Sequence, residues 1–103
     1  MKKYITGKAY QAKIQIRPKN EEVLSFVDAE LKKENAEITD MFERKEGLDV
    51  LVSSSSAAFT LSKKFKKRFG GETKITRSLI GEDKHAGKRI YRLTVLLRLK
   101  KED

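Results

Sequence analysis

The chain has 103 residues, which is the size of one domain and leaves no room for a second hydrophobic core. It carries 24 Lys and Arg against 15 Asp and Glu, a formal net charge of +9 that a polyanionic partner would neutralise. The absence of cysteine excludes disulfides and thiolate metal sites and favours a reducing compartment such as the cytoplasm, and no apolar run approaches the ~18 residues of a membrane helix.

The first elements predicted along the chain are a strand and a helix. Polar and apolar residues alternate over residues 10–17, which is typical of a half-buried strand, and Pro18 ends it. Asn20 can cap a helix that continues to about Asn35. The apolar stripe of this helix recurs every four residues, at Val23, Val27 and Leu31.

A hairpin and a second helix are predicted next. Residues 37–53 form the two arms of the hairpin, with the turn at Lys45-Glu46-Gly47. The serine run 53–56 then marks the start of a helix that ends at Gly70 and Gly71. One side of this helix is apolar and carries Ala58, Leu61, Phe65 and Phe69.

The last third of the chain predicts two more strands, over residues 73–80 and 89–100, joined by a loop at 81–88. The order βαββαββ predicts an α+β two-layer sandwich, in which a ferredoxin-like βαββαβ unit gains an extra C-terminal strand. Residues 1–103 form this one domain, which we expect to be part of a longer protein. Both helices should cover one face of the sheet, and the other face should present Lys13, Arg17, Arg92, Arg98 and Lys100.

The sequence offers no convergent catalytic set. His85 is the single histidine and falls in a charged loop without a partner base or nucleophile. The acidic residues around the first hairpin, Asp40, Glu43, Glu46 and Asp49, fit solvated positions near a turn. No cofactor or metal site is therefore expected, and a small enzyme on a ferredoxin-like scaffold is the weakest hypothesis.

Cationic side chains are the stronger signal. The second helix has five of them, Lys63, Lys64, Lys66, Lys67 and Arg68, largely opposite its apolar stripe. Such a helix favours contacts to phosphates, although a solvated face is an alternative, and a membrane-bound helix is disfavoured because the apolar stripe is needed for the core. Further candidate RNA contacts are Lys84, His85, Lys88 and Arg89 in the second hairpin and Lys13, Arg17, Arg92 and Arg98 on the open sheet face.

Two further features of the sequence carry alternatives. The serine run could hold a phosphate at the helix N-terminus or simply cap the helix. Phe59, Phe65, Phe69 and Tyr91 are predicted to pack in the core, so we expect recognition of a nucleic-acid backbone and shape rather than base stacking.

Three segments of the chain resemble a known family. They are residues 7–17 (GKAYQAKIQIR), 47–69 (GLDVLVSSSSAAFTLSKKFKKRF) and 74–98 (KITRSLIGEDKHAGKRIYRLTVLLR). In order they supply a strand ending in Gln-x-Arg, a Gly-Leu-Asp strand before a Ser/Ala helix, and a final pair of strands. This set is similar to the large-ribosomal-subunit export adaptor family, first named for nonsense-mediated decay and present in archaea and eukaryotes, and the likeness is to the archaeal type.

The resemblance implies a non-catalytic protein that docks on the large ribosomal subunit and contacts ribosomal RNA and ribosomal proteins. Members of the family also carry zinc-binding CxxC pairs near the N-terminus, and this chain departs from them because it has no cysteine. The alternative hypothesis is an interaction domain for an acidic protein partner. No small-molecule substrate or membrane partner is expected.

Overall fold

The computed structural model describes residues 11–83 and 88–100, and for residues 78–83 and 88–91 it describes the backbone. The predicted element order is confirmed. The elements are β1 (Ala12–Arg17), α1 (Glu21–Lys33), β2 (Ile38–Arg44), β3 (Gly47–Val52), α2 (Ser55–Phe69), β4 (Glu72–Asp83) and β5 (Lys88–Arg98).

The five strands form one mixed sheet in the order β2-β3-β1-β5-β4. Strand β1 is central, antiparallel to β3 and parallel to β5. The additional C-terminal strand β5 is inserted between β1 and β4. Strand β4 is an edge strand and pairs with β5 along its whole length. The sequence alone did not fix this order, because strand pairing depends on contacts between residues far apart in the chain.

The core lies on one face of the sheet, as the alternating pattern predicted. Cross-strand rows such as Val50–Ile14–Val95 and Leu48–Ile16–Leu97 are buried in full or nearly so. Both helices cover these rows with the buried side chains Val23, Phe26, Val27, Leu31, Ala57, Ala58, Leu61 and Phe65. The opposite face carries the polar side chains of the same strands, since successive side chains of a strand alternate between the two faces.

Side-chain and backbone caps fix the ends of both helices. Asn20 Oδ1 accepts a hydrogen bond from the Val23 N–H (3.0 Å), and Ser54 Oγ accepts one from the Ala57 N–H (3.1 Å). Helix α2 ends at Gly70, which adopts the left-handed conformation with φ of 70°. The Gly70 N–H donates a hydrogen bond to Lys66 O. Helix α1 ends two residues earlier than predicted because Asn35 is itself left-handed, with φ of 57°.

The predicted loop 81–88 is wrong at both ends. Strand β4 continues to Asp83 and β5 begins at Lys88, and a register shift between Leu79 and Gly81 lets the pairing continue. Glycine and charge favoured a loop in the sequence, but an antiparallel partner supplies the backbone hydrogen bonds that keep these residues in a strand. The first hairpin is likewise tighter than predicted, because Gly47 is already the first residue of β3.

Candidate nucleic-acid interface

The outer surface of α2 is a cationic face. Its fifteen residues include no Asp or Glu. The five cations predicted to face outward are all exposed, while Leu61 and Phe65 fix the opposite side of the helix in the core. The positive side chains are therefore mounted on a helix whose position the core determines.

Two of these five cations also contact α1. Lys64 Nζ lies 3.0 Å from Glu30 Oε1, and the Arg68 guanidinium lies 5.7 Å from the centre of the Phe26 ring. Lys64 and Arg68 thus help to join the two helices, and a change at either would affect folding as well as binding.

The remaining three cations, Lys63, Lys66 and Lys67, border a groove between α2 and the edge strand β4. The groove has a volume of about 540 Å³ and includes no acidic residue in its lining, which consists of Phe59, Ser62, Lys63, Lys64, Lys66, Lys67, Thr73 and Ile75. Within residues 11–83 and 88–100, Lys66 and Lys67 form no ion pair. The groove is thus electropositive with a partly apolar floor.

Phe59 was predicted to lie in the core, and this prediction is wrong. Its side chain is 42% exposed, and the Lys63 ammonium lies 4.6 Å from the centre of its ring. Phe59 lies four residues before Lys63 and so shares its side of the helix rather than that of Leu61. This i, i+4 spacing was the signal in the sequence that could have identified Phe59 as a surface aromatic.

Glu30 is a buried acid between the two helices. Its carboxylate accepts hydrogen bonds from Lys64 (3.0 Å) and Lys33 (3.2 Å). The hydrogen bond from Lys64 holds the pKa of Glu30 below its ordinary value, with a further contribution from Lys33 and against the opposing effect of burial. Glu30 therefore stabilises the α1–α2 packing as a charged group.

The open sheet face carries mixed charge. Lys13 and Arg92 are half-buried, and Arg98 is exposed with its Nε 3.8 Å from Glu72 Oε1. Asp40 and Asp49 lie on the same face, in register with Leu51 and Phe42. Because these acids offset part of its positive charge, this face attracts a polyanion less than the groove, whose lining includes no acid.

Arg17, a predicted RNA contact, is part of a buried ion pair. Its Nη2 donates to Asp49 Oδ1 (2.7 Å) and its Nη1 donates to Leu48 O (3.1 Å). Asp49 is 3% exposed and also accepts from Arg44 Nε (3.1 Å), so the prediction of a solvated Asp49 is wrong. The strand register places Asp49 beside β1, and two arginines compensate the burial of its charge.

Gly47 makes this ion pair possible. A Cβ at Gly47 would overlap Ile16 O and would lie 3.2 Å from Arg17 Cδ. A residue without a side chain is required where Arg17 crosses over the start of β3. The Gln-x-Arg and Gly-Leu-Asp segments that carry the family resemblance therefore meet in a single contact.

The serine run acts as a helix cap. In addition to the Ser54 cap, the Ser55 N–H donates to Gln11 Oε1 (3.2 Å), and Ser53 Oγ accepts from the Glu37 N–H (3.0 Å). These protein contacts account for the run without an anion.

Four predicted contacts belong to the second hairpin. Lys84 and His85 lie outside the described residues. Lys88 and Arg89 pair with Asp83 and Glu82 through the backbone, and the structure does not describe their side chains.

In the part of the chain that the structure describes, no group of three His, Asp or Glu side chains could hold a metal ion. Neither helix described has the length and hydrophobicity needed to cross a bilayer.

These features define a small basic domain of the α+β class, with a cation-rich helix and a mixed five-stranded sheet. Residues 9–99 match the family model described as NMD3, second domain, and the chain belongs to this family. No curated protein matches the chain significantly. The predicted family is thus confirmed, and membership in it implies association with the large ribosomal subunit in an adaptor role.

Proposed function

We propose that the chain is a non-catalytic module that docks on the large ribosomal subunit through basic contacts to ribosomal RNA, in subunit assembly or an export-adaptor function, and that it acts in the cytoplasm. The observation that carries this proposal is the cluster of Lys63, Lys66 and Lys67 beside a groove whose lining includes no acid. Family membership supports the ribosomal partner.

The spacing of the three lysines suits a phosphate backbone. Residues three and four apart on a helix are neighbours about 5–6 Å apart at Cβ, so the three ammonium groups form one patch. Each phosphate they neutralise releases counterions, which makes binding strong at low salt and weak at high salt. Because the core already holds α2 in place, the helix that carries these lysines does not have to fold when RNA binds.

Co-sedimentation with purified ribosomal subunits tests the proposal. The chain should pellet with large rather than small subunits at about 100 mM salt and should be released at about 500 mM. The variant Lys63→Gln/Lys66→Gln/Lys67→Gln should lose this binding. Lys64 is left unchanged because it pairs with Glu30.

A variant with the same loss of charge elsewhere provides the control. Lys45→Gln/Lys74→Gln/Lys100→Gln changes three exposed lysines outside the groove lining and should retain most of the binding. Equal pelleting with both subunits, or full binding by the groove variant, would contradict the proposal. Binding that resists about 500 mM salt would favour the alternative of a protein partner, for which the exposed Phe59 and Ile75 offer apolar contacts.

A further inference from the structure

Two exposed apolar side chains lie in the cationic groove. Phe59 is 42% exposed and Ile75 is 37% exposed, and Met41, the other large apolar side chain exposed among the described residues, lies on β2 at the opposite edge of the sheet. Phe59 on α2 and Ile75 on β4 line the same groove as Lys63, Lys66 and Lys67. Contacts to phosphates alone would not require an exposed aromatic ring.

We propose that this groove binds an unpaired nucleotide, with its base against Phe59 and Ile75 and the adjoining phosphates on Lys63, Lys66 and Lys67. This inference rests on the proposed function and adds the kind of RNA element recognised. Bases inside an A-form helix are inaccessible to side chains, whereas a bulged or looped base can be stacked on an aromatic ring.

The arrangement of Lys63 and Phe59 supports this occupant. The ammonium lies 4.6 Å from the centre of the ring, and the Phe59 side chain is 42% exposed, so the ring is both accessible and close to a positive charge. A base that stacks on this face displaces the ammonium, and the flexible lysine can then pair with the phosphate of the same nucleotide. Stacking on Phe accepts any base, because every base has a π face.

An added peptide strand fits the groove less well. Strand β4 is an edge of the sheet, but Lys74 and Arg77 on it are exposed, and charged side chains on an edge strand discourage pairing with another strand. The absence of acids from the groove lining and the net charge of +9 also match the regular charge of an RNA backbone.

Fluorescence anisotropy with two RNA hairpins tests the inference. The hairpins carry equal numbers of phosphates, and one has a single-nucleotide bulge while the other is fully paired. The unmodified chain should bind the bulged hairpin more tightly, by roughly 5- to 150-fold for one stacked base. Phe59→Ala should remove this preference and leave binding to the paired hairpin unchanged.

Met41→Ala serves as the matched control, since Met41 is 45% exposed and outside the groove, and it should retain the preference. Circular dichroism establishes that each variant is folded. Equal affinity of the unmodified chain for both hairpins would overturn the nucleotide site, while salt-sensitive binding to large subunits would leave the proposed function intact. Binding to neither hairpin, with binding to an acidic peptide that contains Phe, would overturn both proposals.

Discussion

Asp49 shows how single residues join distant segments of this chain. Its carboxylate accepts hydrogen bonds from Arg17 on β1 and Arg44 on β2. Gly47 leaves the space that the Arg17 side chain needs to contact Asp49. Removing one member of a buried ion pair leaves the other charge uncompensated, which is the costly case. Residues that resemble a family motif therefore act here in folding, and the Arg17 guanidinium donates hydrogen bonds to Asp49 and to the Leu48 carbonyl.

The variant Asp49→Ala should lower the free energy of unfolding by about 3–5 kcal/mol, because it leaves the largely buried Arg17 without its carboxylate. Urea denaturation followed by circular dichroism measures this change. Arg44→Ala is the control and should cost less than about 1 kcal/mol, since the Arg44 side chain is 54% exposed. Equal losses for the two variants would show that Arg17 is not the main partner of Asp49.

At the scale of elements, α1 and α2 are joined by an aromatic cluster and an ion cluster. The ring of Phe69 lies 5.4 Å from Phe26 and 5.1 Å from Phe65. Beside these rings, Glu30 bonds Lys64 across the helix interface. The contacts set how α2 lies on the sheet, and so they also position the groove between α2 and β4.

The pKa of Glu30 makes the stability of this interface depend on pH. Because the pKa is lower in the folded chain than in the unfolded one, where it is about 4.3, the charged carboxylate stabilises the fold above that pH. The stabilisation is lost as pH falls through the folded pKa. Unfolding in urea at about pH 7 and about pH 3 should show that the loss of stability in Glu30→Gln, relative to the unmodified chain, is larger at the higher pH.

Glu37→Gln, a change at an exposed carboxylate away from the helix interface, is the control and should follow the unmodified chain at both pH values. If the difference between Glu30→Gln and the unmodified chain were the same at both pH values, titration of Glu30 would not be its cause.

For the whole molecule, the distribution of charge matters more than the net value of +9. The side of the sheet with the helices has α2, which carries cations and no acid. The open face combines the cations Lys13, Arg17, Arg92 and Arg98 with the acids Asp40, Asp49 and Glu72, and it holds the ion pairs Arg17–Asp49 and Arg98–Glu72. A polyanion is therefore attracted to the surface of α2 more than to the open face.

The salt dependence of RNA binding distinguishes the two surfaces. Each phosphate contact removed should lower the slope of log K against log salt concentration by about 1, so the groove variant Lys63→Gln/Lys66→Gln/Lys67→Gln should lose about 3. The open-face variant Lys13→Gln/Arg92→Gln/Arg98→Gln removes the same charge and should change the slope by less than about 1. Anisotropy titrations over a range of salt concentrations measure both slopes, and the reverse ranking would place the contact on the open face.

The sequence by itself determined the element order, the core faces of β1 and β5, both helix caps and the cationic character of α2. These follow from local periodicity and from residues with defined conformational preferences, such as Asn20, Ser54 and Gly70. The order of the three family motifs along the sequence also predicted the family.

Only the tertiary structure decided the strand order, the pairing of Asp49 with Arg17, and which two of the five cations of α2, Lys64 and Arg68, also contact α1. Each depends on which distant residues become neighbours, and local pattern contains no such information. Phe59 shows the same limit, because an aromatic residue one position from a core stripe is buried or exposed according to what packs beside it. Here Ser62 fills the side next to the sheet, and Phe59 is left beside Lys63 and Ile75 in the groove.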